Sequence, residues 1–438
     1  MPGERAAVCQ VHRLDLGADR LRGQEPGARV HHHDRKRRAA FPAPRLARQA
    51  VLLRRQRELQ LQRVPLHAAE HAREAARLPQ QPGAPRGTAG RVDGTRAAAH
   101  RAHAGPAVSA PLIDGFGRLH DNLRISVTDR CNIRCFYCMP ETGVKFMPRG
   151  ELLTFEEIER VARIAAELGI TKIRVTGGEP LLRRGLPVLI ERLMQVPGIR
   201  DLALTTNAVL LEEFAPALYD AGLRRLNIHL DTLDRARFQQ ITRRDDLPAV
   251  LRGINAARRL GFGPIKINVV AVKDLIEPDL VPMARYCREN GFEPRFIEFM
   301  PLDAQHLWER GRVLTADQMI ETLSREIAPL LPVRDADPRA PATEYRYADG
   351  GGSVGFIASV TKPFCLNCNR LRLTSEGKLR YCLFAIEEAD VRTLLRGGGT
   401  DAQIADCIRG NVKEKWLGHE INSSRFVAPP RPMYSIGG

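Results

Sequence analysis

From about Leu112 onward, short apolar runs alternate with runs of helical period. Alternating apolar and polar positions predict six strands, at 123–128, 172–176, 202–206, 225–230, 265–272 and 295–299. Helical spacing fills the gaps between them. Ile158, Val161, Ile164, Ala165 and Leu168 recur on one face behind Thr154-Phe155-Glu156-Glu157, which reads as a capping box, and Gly169 ends that helix. Further helices are predicted near 186–195, 211–221 and 278–290, with a helical region reaching Leu260 after the fourth strand. Strands alternating with helices imply βαβ units and a parallel sheet. Right-handed crossovers wind six such units into an α/β fold, an incomplete (β/α)6 TIM-type barrel.

After Met300 the alternation stops. A helix is predicted at 315–327, strands at 345–347 and 355–361, and a hairpin turn at Ser375-Glu376-Gly377-Lys378 that returns the chain to Tyr381-Cys382. Two helices, at about 389–395 and 401–412, precede a Pro-rich tail ending Ser435-Ile436-Gly437-Gly438. The domain expectation is therefore a partial barrel over 111–300 and a C-terminal α+β extension over 301–438. Residues 1–110 differ. They are rich in Arg, Ala, Pro, Gln and His without sustained period, which predicts disorder. The same texture fits a mistaken upstream start or an out-of-frame translation; a nucleic-acid-binding arm is the functional alternative.

Charge sharpens this division. The net charge is +16, but the first 110 residues hold 21 Lys+Arg against nine Asp+Glu, so they carry 12 of that surplus. The body is only mildly basic, which suits an anionic small substrate at least as well as a polynucleotide. No apolar run approaches the ~18 residues of a membrane span and no signal-peptide core is present, so a soluble, cytoplasmic protein is expected.

Chemistry concentrates just after strand ends: at 131–138, 177–179, 205–207, 229–231 and 300. Active sites of α/β barrels lie at the C-terminal ends of the strands. Cys131, Cys135 and Cys138 have the spacing C-x3-C-x2-C, and Cys365, Cys368 and Cys382 the spacing C-x2-C-x13-C. Each trio could ligate three irons of a four-iron cluster and leave one open, or form a zinc site with a further ligand. Plain packing also remains for the first trio. The solitary Cys9, Cys287 and Cys407 read as packing residues, and six of nine cysteines in two clusters is metal-site usage of a reducing compartment. Gly177-Gly178-Glu179-Pro180 pairs two glycines that permit close backbone approach to a ligand with one carboxylate. On a strand Arg370 and Arg372 share a face, a plausible phosphate grip beside an open metal.

The motif Cys131-Asn132-Ile133-Arg134-Cys135-Phe136-Tyr137-Cys138 resembles the radical S-adenosylmethionine (SAM) superfamily signature. With the second trio, Arg370-Leu371-Arg372 and the terminal Gly437-Gly438, the chain from about Leu112 resembles the molybdenum cofactor biosynthesis protein A family, the GTP 3′,8-cyclases. The resemblance implies two [4Fe–4S] clusters, one on Cys131, Cys135 and Cys138 that binds SAM, the other on Cys365, Cys368 and Cys382 that contacts guanine. It implies SAM contacts at Tyr137, Gly178, Glu179, His229 and Met300. Many members carry Ser at position 229, where a neutral imidazole can still hydrogen-bond. It implies GTP contacts at Arg124, Lys172, Arg174, Thr205, Lys266, Arg370, Leu371 and Arg372, and a catalytic tail of Gly437 and Gly438 reaching into the site.

The implied reaction removes hydrogen from C3′ of the GTP ribose, joins C3′ to C8, and reduces the product radical to 3′,8-cyclo-7,8-dihydro-GTP. The product would pass to cyclic pyranopterin monophosphate synthase, with an unidentified electron donor; a homodimer is compatible, and neither membrane nor nucleic acid is an expected partner. Two other classes stay open: another radical SAM enzyme with an auxiliary cluster, such as a peptide maturase, and a zinc-stabilised nucleic-acid-binding protein.

Overall fold

The computed structural model describes residues 11–13 and 111–437. Expectations for the rest of the first 110 residues, and for Gly438, lie outside the described residues. Strand β1, Val11–Arg13, is the described part of that N-terminal stretch. Then come β2 Asn122–Ser126, α1 Phe155–Glu167, β3 Lys172–Thr176, α2 Leu186–Gln195, β4 Asp201–Thr206 and α3 Leu211–Asp220. They are followed by β5 Arg225–His229, α4 Arg235–Thr242, α5 Leu247–Arg259, β6 Ile265–Ala271, α6 Glu277–Asn290 and β7 Glu293–Glu298. The predicted helical region after β5 is thus two helices, broken where Arg243 takes a left-handed backbone conformation.

β2 to β7 lie side by side in chain order and pair in parallel, as the βαβ pattern requires. Alternation explains the layers. Leu123 and Ile125 of β2 are fully buried in the apolar core, while Arg124 between them is only partly buried. α1 covers this core with Ile158, Val161, Ile164 and Ala165. Its capping box is present: Thr154 Oγ1 accepts from Glu157 N–H at 3.2 Å, and the Glu157 carboxylate accepts from Thr154 N–H at 2.7 Å.

The chain after 300 adds α7 Ala316–Glu326, β8 Leu330–Pro332, β9 Thr343–Tyr347, β10 Ser353–Ile357, β11 Arg370–Leu373 and β12 Lys378–Arg380. It ends with β13 Glu387–Asp390, α8 Val391–Arg396, α9 Asp401–Lys413 and α10 Met433–Ile436. These strands join the same sheet at both edges. β11 pairs in parallel with β2, and β10 in parallel with β7. β12, β13 and β1 extend one side antiparallel, and β9 and β8 the other. Residues 389 and 390, expected to open a helix, instead close β13. The Pro-rich tail contains the short helix α10.

Cys287 is a buried free thiol, as expected of a packing residue. Cys407 is packed in the core as expected, but it is disulfide-bonded. No helix among the described residues is long and apolar enough to cross a membrane.

Candidate active site

The C-terminal ends of the parallel strands open onto two adjoining cavities of about 1050 Å³ each, open mouths included. They share Thr205, Asn268, Ile297, Met300 and Met433 as common wall. One cavity is lined by Cys131, Cys135 and Cys138, and the other by Cys365, Cys368 and Cys382. The two sulfur trios therefore face one continuous chamber, although Cys365 lies 227 positions after Cys138 in the sequence.

The loop carrying the first trio is held by the Gly177-Gly178 turn. Gly178 N–H donates to Thr128 O at 2.6 Å, and Glu179 N–H to Arg130 O at 2.7 Å. A Cβ on Gly178 would lie 2.4 Å from Arg130 O, and one on Gly177 2.7 Å from Thr128 O. Both glycines line the cavity. Their sequence-based role was close approach to a ligand; the structure adds a steric reason, contact with the backbone that leads into Cys131.

Glu179 does not line the chamber. It is buried behind the wall, where its carboxylate accepts from Asn207 N–H at 2.7 Å, Leu181 N–H at 3.0 Å and Thr206 Oγ1–H at 2.8 Å. Burial pushes its pKa up to about 7 against those hydrogen bonds. Its action is to fix the turn after β4, from which Asn207 Nδ2 reaches to 3.7 Å from Cys131 Sγ.

Tyr137, His229 and Met300 all line the first cavity. Tyr137 Oη lies 2.5 Å from His229 Nε2 and donates to Asp231, whose other oxygen accepts from Val270 N–H at 2.7 Å. Burial disfavours a charged His229, but Asp231 at 3.2 Å outweighs it and lifts the imidazole well above the usual histidine range.

The second cavity is lined by Arg124, Arg174, Arg295, Arg370 and Arg372. Register explains this gathering: Arg372 lies opposite Arg124 across β11–β2, and Arg124 opposite Arg174 across β2–β3. Neighbours in register on parallel strands point to the same face. Among the described residues, no carboxylate forms an ion pair with Arg124, Arg174, Arg370 or Arg372, whereas 31 other ion pairs are formed. The Nε atoms of Arg124 and Arg174 are buried without a partner. Burial, then repulsion from neighbouring arginines, lowers all three guanidiniums: Arg372 to about 9 beside Arg370, Arg174 to about 10 beside Arg295 and Arg225, and Arg124 well below its ordinary value beside Arg372 and Arg174. A buried cationic cluster of this kind is stabilised by a polyanion.

Three of the eight residues assigned to GTP do not line the chamber. Lys172 is half-buried, 3.6 Å from Asp337. Lys266 is bound by both Glu293 oxygens at 2.9 and 2.7 Å. Leu371 packs in the core. Thr205 stands at the junction of the cavities. Arg295 was missed, because in the run Glu293-Pro294-Arg295-Phe296-Ile297-Glu298 a third charged residue does not stand out. Gly437 does enter the barrel. It is buried at a φ of +86°, its carbonyl accepts from Arg372 Nη1 at 2.8 Å, and an added Cβ would lie 2.6 Å from Ser126 Cβ.

The donor sets fit cationic clusters. Burial foremost, with neighbouring negative charge, pushes Cys131 up to about 12 and Cys138 well above the thiol range, so these sulfurs ionise there only against a strong positive charge. At Cys368 burial acts the same way, but Arg370 and Lys415 outweigh it and bring the thiol down to about 6. Among the described residues, no three Cys, His, Asp or Glu side chains form a group that could hold a single metal ion.

A Radical SAM superfamily profile matches residues 125–287, and a Molybdenum Cofactor Synthesis C profile matches residues 292–421. The GTP 3′,8-cyclase of Rhodopirellula baltica is 47% identical over 330 residues, covering 75% of this chain and 92% of its own. The chain belongs to the GTP 3′,8-cyclase family of the radical SAM superfamily. GTP 3′,8-cyclases of Mycolicibacterium smegmatis and Thermodesulfovibrio yellowstonii are 46% and 43% identical, covering 77% and 74% of this chain and 95% and 99% of theirs. In this cyclase-family chain the matched segments include both sulfur trios and every arginine of the chamber except Arg124, which directly precedes the first matched segment.

Proposed function

We propose that the chain is a radical SAM GTP 3′,8-cyclase that converts GTP to (8S)-3′,8-cyclo-7,8-dihydroguanosine 5′-triphosphate, the first step of molybdenum cofactor biosynthesis. The observation that carries the substrate is the row Arg372, Arg124 and Arg174, Arg372 buried and the other two with buried Nε atoms, none ion-paired to a carboxylate among the described residues, in a cavity shared with three cysteines. A triphosphate supplies the missing negative charge, and guanidiniums bind phosphate oxygens bidentately.

Cys131, Cys135 and Cys138 would hold one [4Fe–4S] cluster, and Cys365, Cys368 and Cys382 a second. With SAM bound, the first supplies a 5′-deoxyadenosyl radical. The protein's own part is placement and exclusion. Tyr137, His229 and Met300 line the SAM side; Arg124, Arg174, Arg295, Arg370 and Arg372 grip the triphosphate; Thr205 sits between. With both ends of the nucleotide held, C3′ is kept near C8 and toward the radical source, as an intramolecular bond formation requires. Gly437 and α10 fill the barrel mouth and exclude water from the radical steps.

A one-electron donor must deliver electrons to the clusters, and the product is passed to cyclic pyranopterin monophosphate synthase. The six ligand thiols suit a reducing cytoplasm. Anaerobic incubation with GTP, SAM and reductant tests the proposal: 5′-deoxyadenosine should form only with GTP and in step with the cyclised nucleotide. Cys131→Ala should abolish SAM cleavage. Arg370→Ala should weaken GTP turnover while the first cluster stays intact. GTP-independent 5′-deoxyadenosine with no cyclised nucleotide overturns the assignment.

A further inference from the structure

Beside the second sulfur trio lies a buried cation that forms no ion pair with a carboxylate among the described residues. Lys415 follows α9 and is 4% exposed. Its Nζ donates to Arg370 O at 2.9 Å and to Tyr381 O at 2.6 Å. Arg370 lies two residues after Cys368, and Tyr381 directly precedes Cys382. One ammonium thus bridges the start of β11 to the end of β12, the hairpin that brings those sulfurs together.

The adjoining residues pin the third ligand segment. Arg118 Nη1 donates to Cys365 O at 2.7 Å and Leu417 O at 2.9 Å, and its Nη2 donates to Trp416 O at 2.6 Å. Asp114 orients this guanidinium by accepting from its Nε at 2.6 Å. The run Lys415-Trp416-Leu417 is therefore tied to all three sulfur-bearing segments. Its sole charged side chain points at the trio, and a nearby positive charge and N–H donors raise the reduction potential of an iron–sulfur cluster.

We propose that Lys415 is a positioning residue for the second cluster: it sets the spacing of Cys368 and Cys382 through their neighbouring carbonyls, and its charge raises the cluster's potential. This rests on the two-cluster reading above.

The test compares wild type, Lys415→Met and Lys415→Arg after anaerobic reconstitution. Iron and sulfide per chain are measured, and a reductive titration is followed by electron paramagnetic resonance. Wild type should hold about eight irons per chain, two four-iron clusters. Lys415→Met should lose second-cluster iron or, in chains that keep both clusters, show a reduced-to-oxidised ratio tenfold lower at fixed potential, equivalent to about 59 mV for a one-electron couple. The first cluster's signal should be unchanged, and Lys415→Arg should move both readouts back toward wild type. Full iron and an unchanged titration in Lys415→Met overturn the proposal. So does equal loss of both clusters' signals in Lys415→Met and Lys415→Arg, since a general folding role would do that. Wild type with only about four irons overturns the two-cluster reading itself.

Discussion

Gly178→Ala should uncouple the first sulfur loop from the barrel. The new methyl would stand 2.4 Å from Arg130 O, 2.7 Å from its carbonyl carbon and 2.9 Å from Asp129 O. These are backbone atoms and cannot rotate away. Ordinary contact begins near 3.4 Å, so the two segments must part by about 1 Å. That separation breaks or stretches the bonds from Gly178 N–H and Glu179 N–H to Thr128 O and Arg130 O. Overpacking of this kind costs about 1–3 kcal/mol, and each lost backbone hydrogen bond about 1 kcal/mol more. The expected destabilisation is therefore about 3–5 kcal/mol, local to the loop that ends in Cys131. A shift of about 1 Å in a reacting group lowers rate about 100-fold. The assay is iron per chain together with 5′-deoxyadenosine release. Iron at the first trio and SAM cleavage should fall together, while the second trio keeps its iron. A Gly178→Ala protein with full iron and cleavage within twofold of wild type refutes the steric argument.

Three further outcomes follow from the same geometry. Arg124→Met should weaken GTP binding by about 10–150-fold, the loss of a charge-assisted hydrogen bond of about 1.5–3 kcal/mol, yet raise the unfolding temperature of the nucleotide-free protein, because it relieves repulsion from Arg372 and Arg174; calorimetry with and without GTP checks both signs. His120 should make the fold acid-sensitive. Burial, then Lys415, lowers it to about 4 despite its contact with Asp114. Between an unfolded value near 6.5 and about 4, the unfolded chain binds a proton that the folded chain does not, so stability falls as pH drops through that window, by up to about 3 kcal/mol. His120→Gln should flatten the unfolding temperature across it. Gly437→Ala should expel the tail, since its backbone is left-handed and the methyl would meet Ser126; turnover should drop at least about tenfold with iron content unchanged.

The barrel was legible because its strands and helices announce themselves locally. Lys172–Thr176 and Leu186–Gln195 match the predicted spans to the residue. What escaped depends on partners distant in sequence. Glu387–Asp390 has low strand propensity, and it is a strand because Glu388 is buried against Arg380 and Arg431 and because β12 and β1 pair on either side. The glycine pair was visible as a need for closeness, but the sequence cannot say that the close object is the chain's own backbone. Lys172 and Lys266 have the right charge for a triphosphate; only the structure reveals Asp337 and Glu293 beside them. The disulfide at Cys407 left no spacing signal.

Both strands that flank the six-stranded run, β10 and β11, come from the last third of the chain, and the Gly437 plug comes from its end. During synthesis β2 to β7 emerge before β10 and β11, the strands that wall them on either side. Domains acquire structure as they leave the ribosome, so a newborn chain passes through an interval in which the first sulfur trio is built but stands open to its surroundings. Inorganic cargo has its widest access in that interval, and oxidants share it.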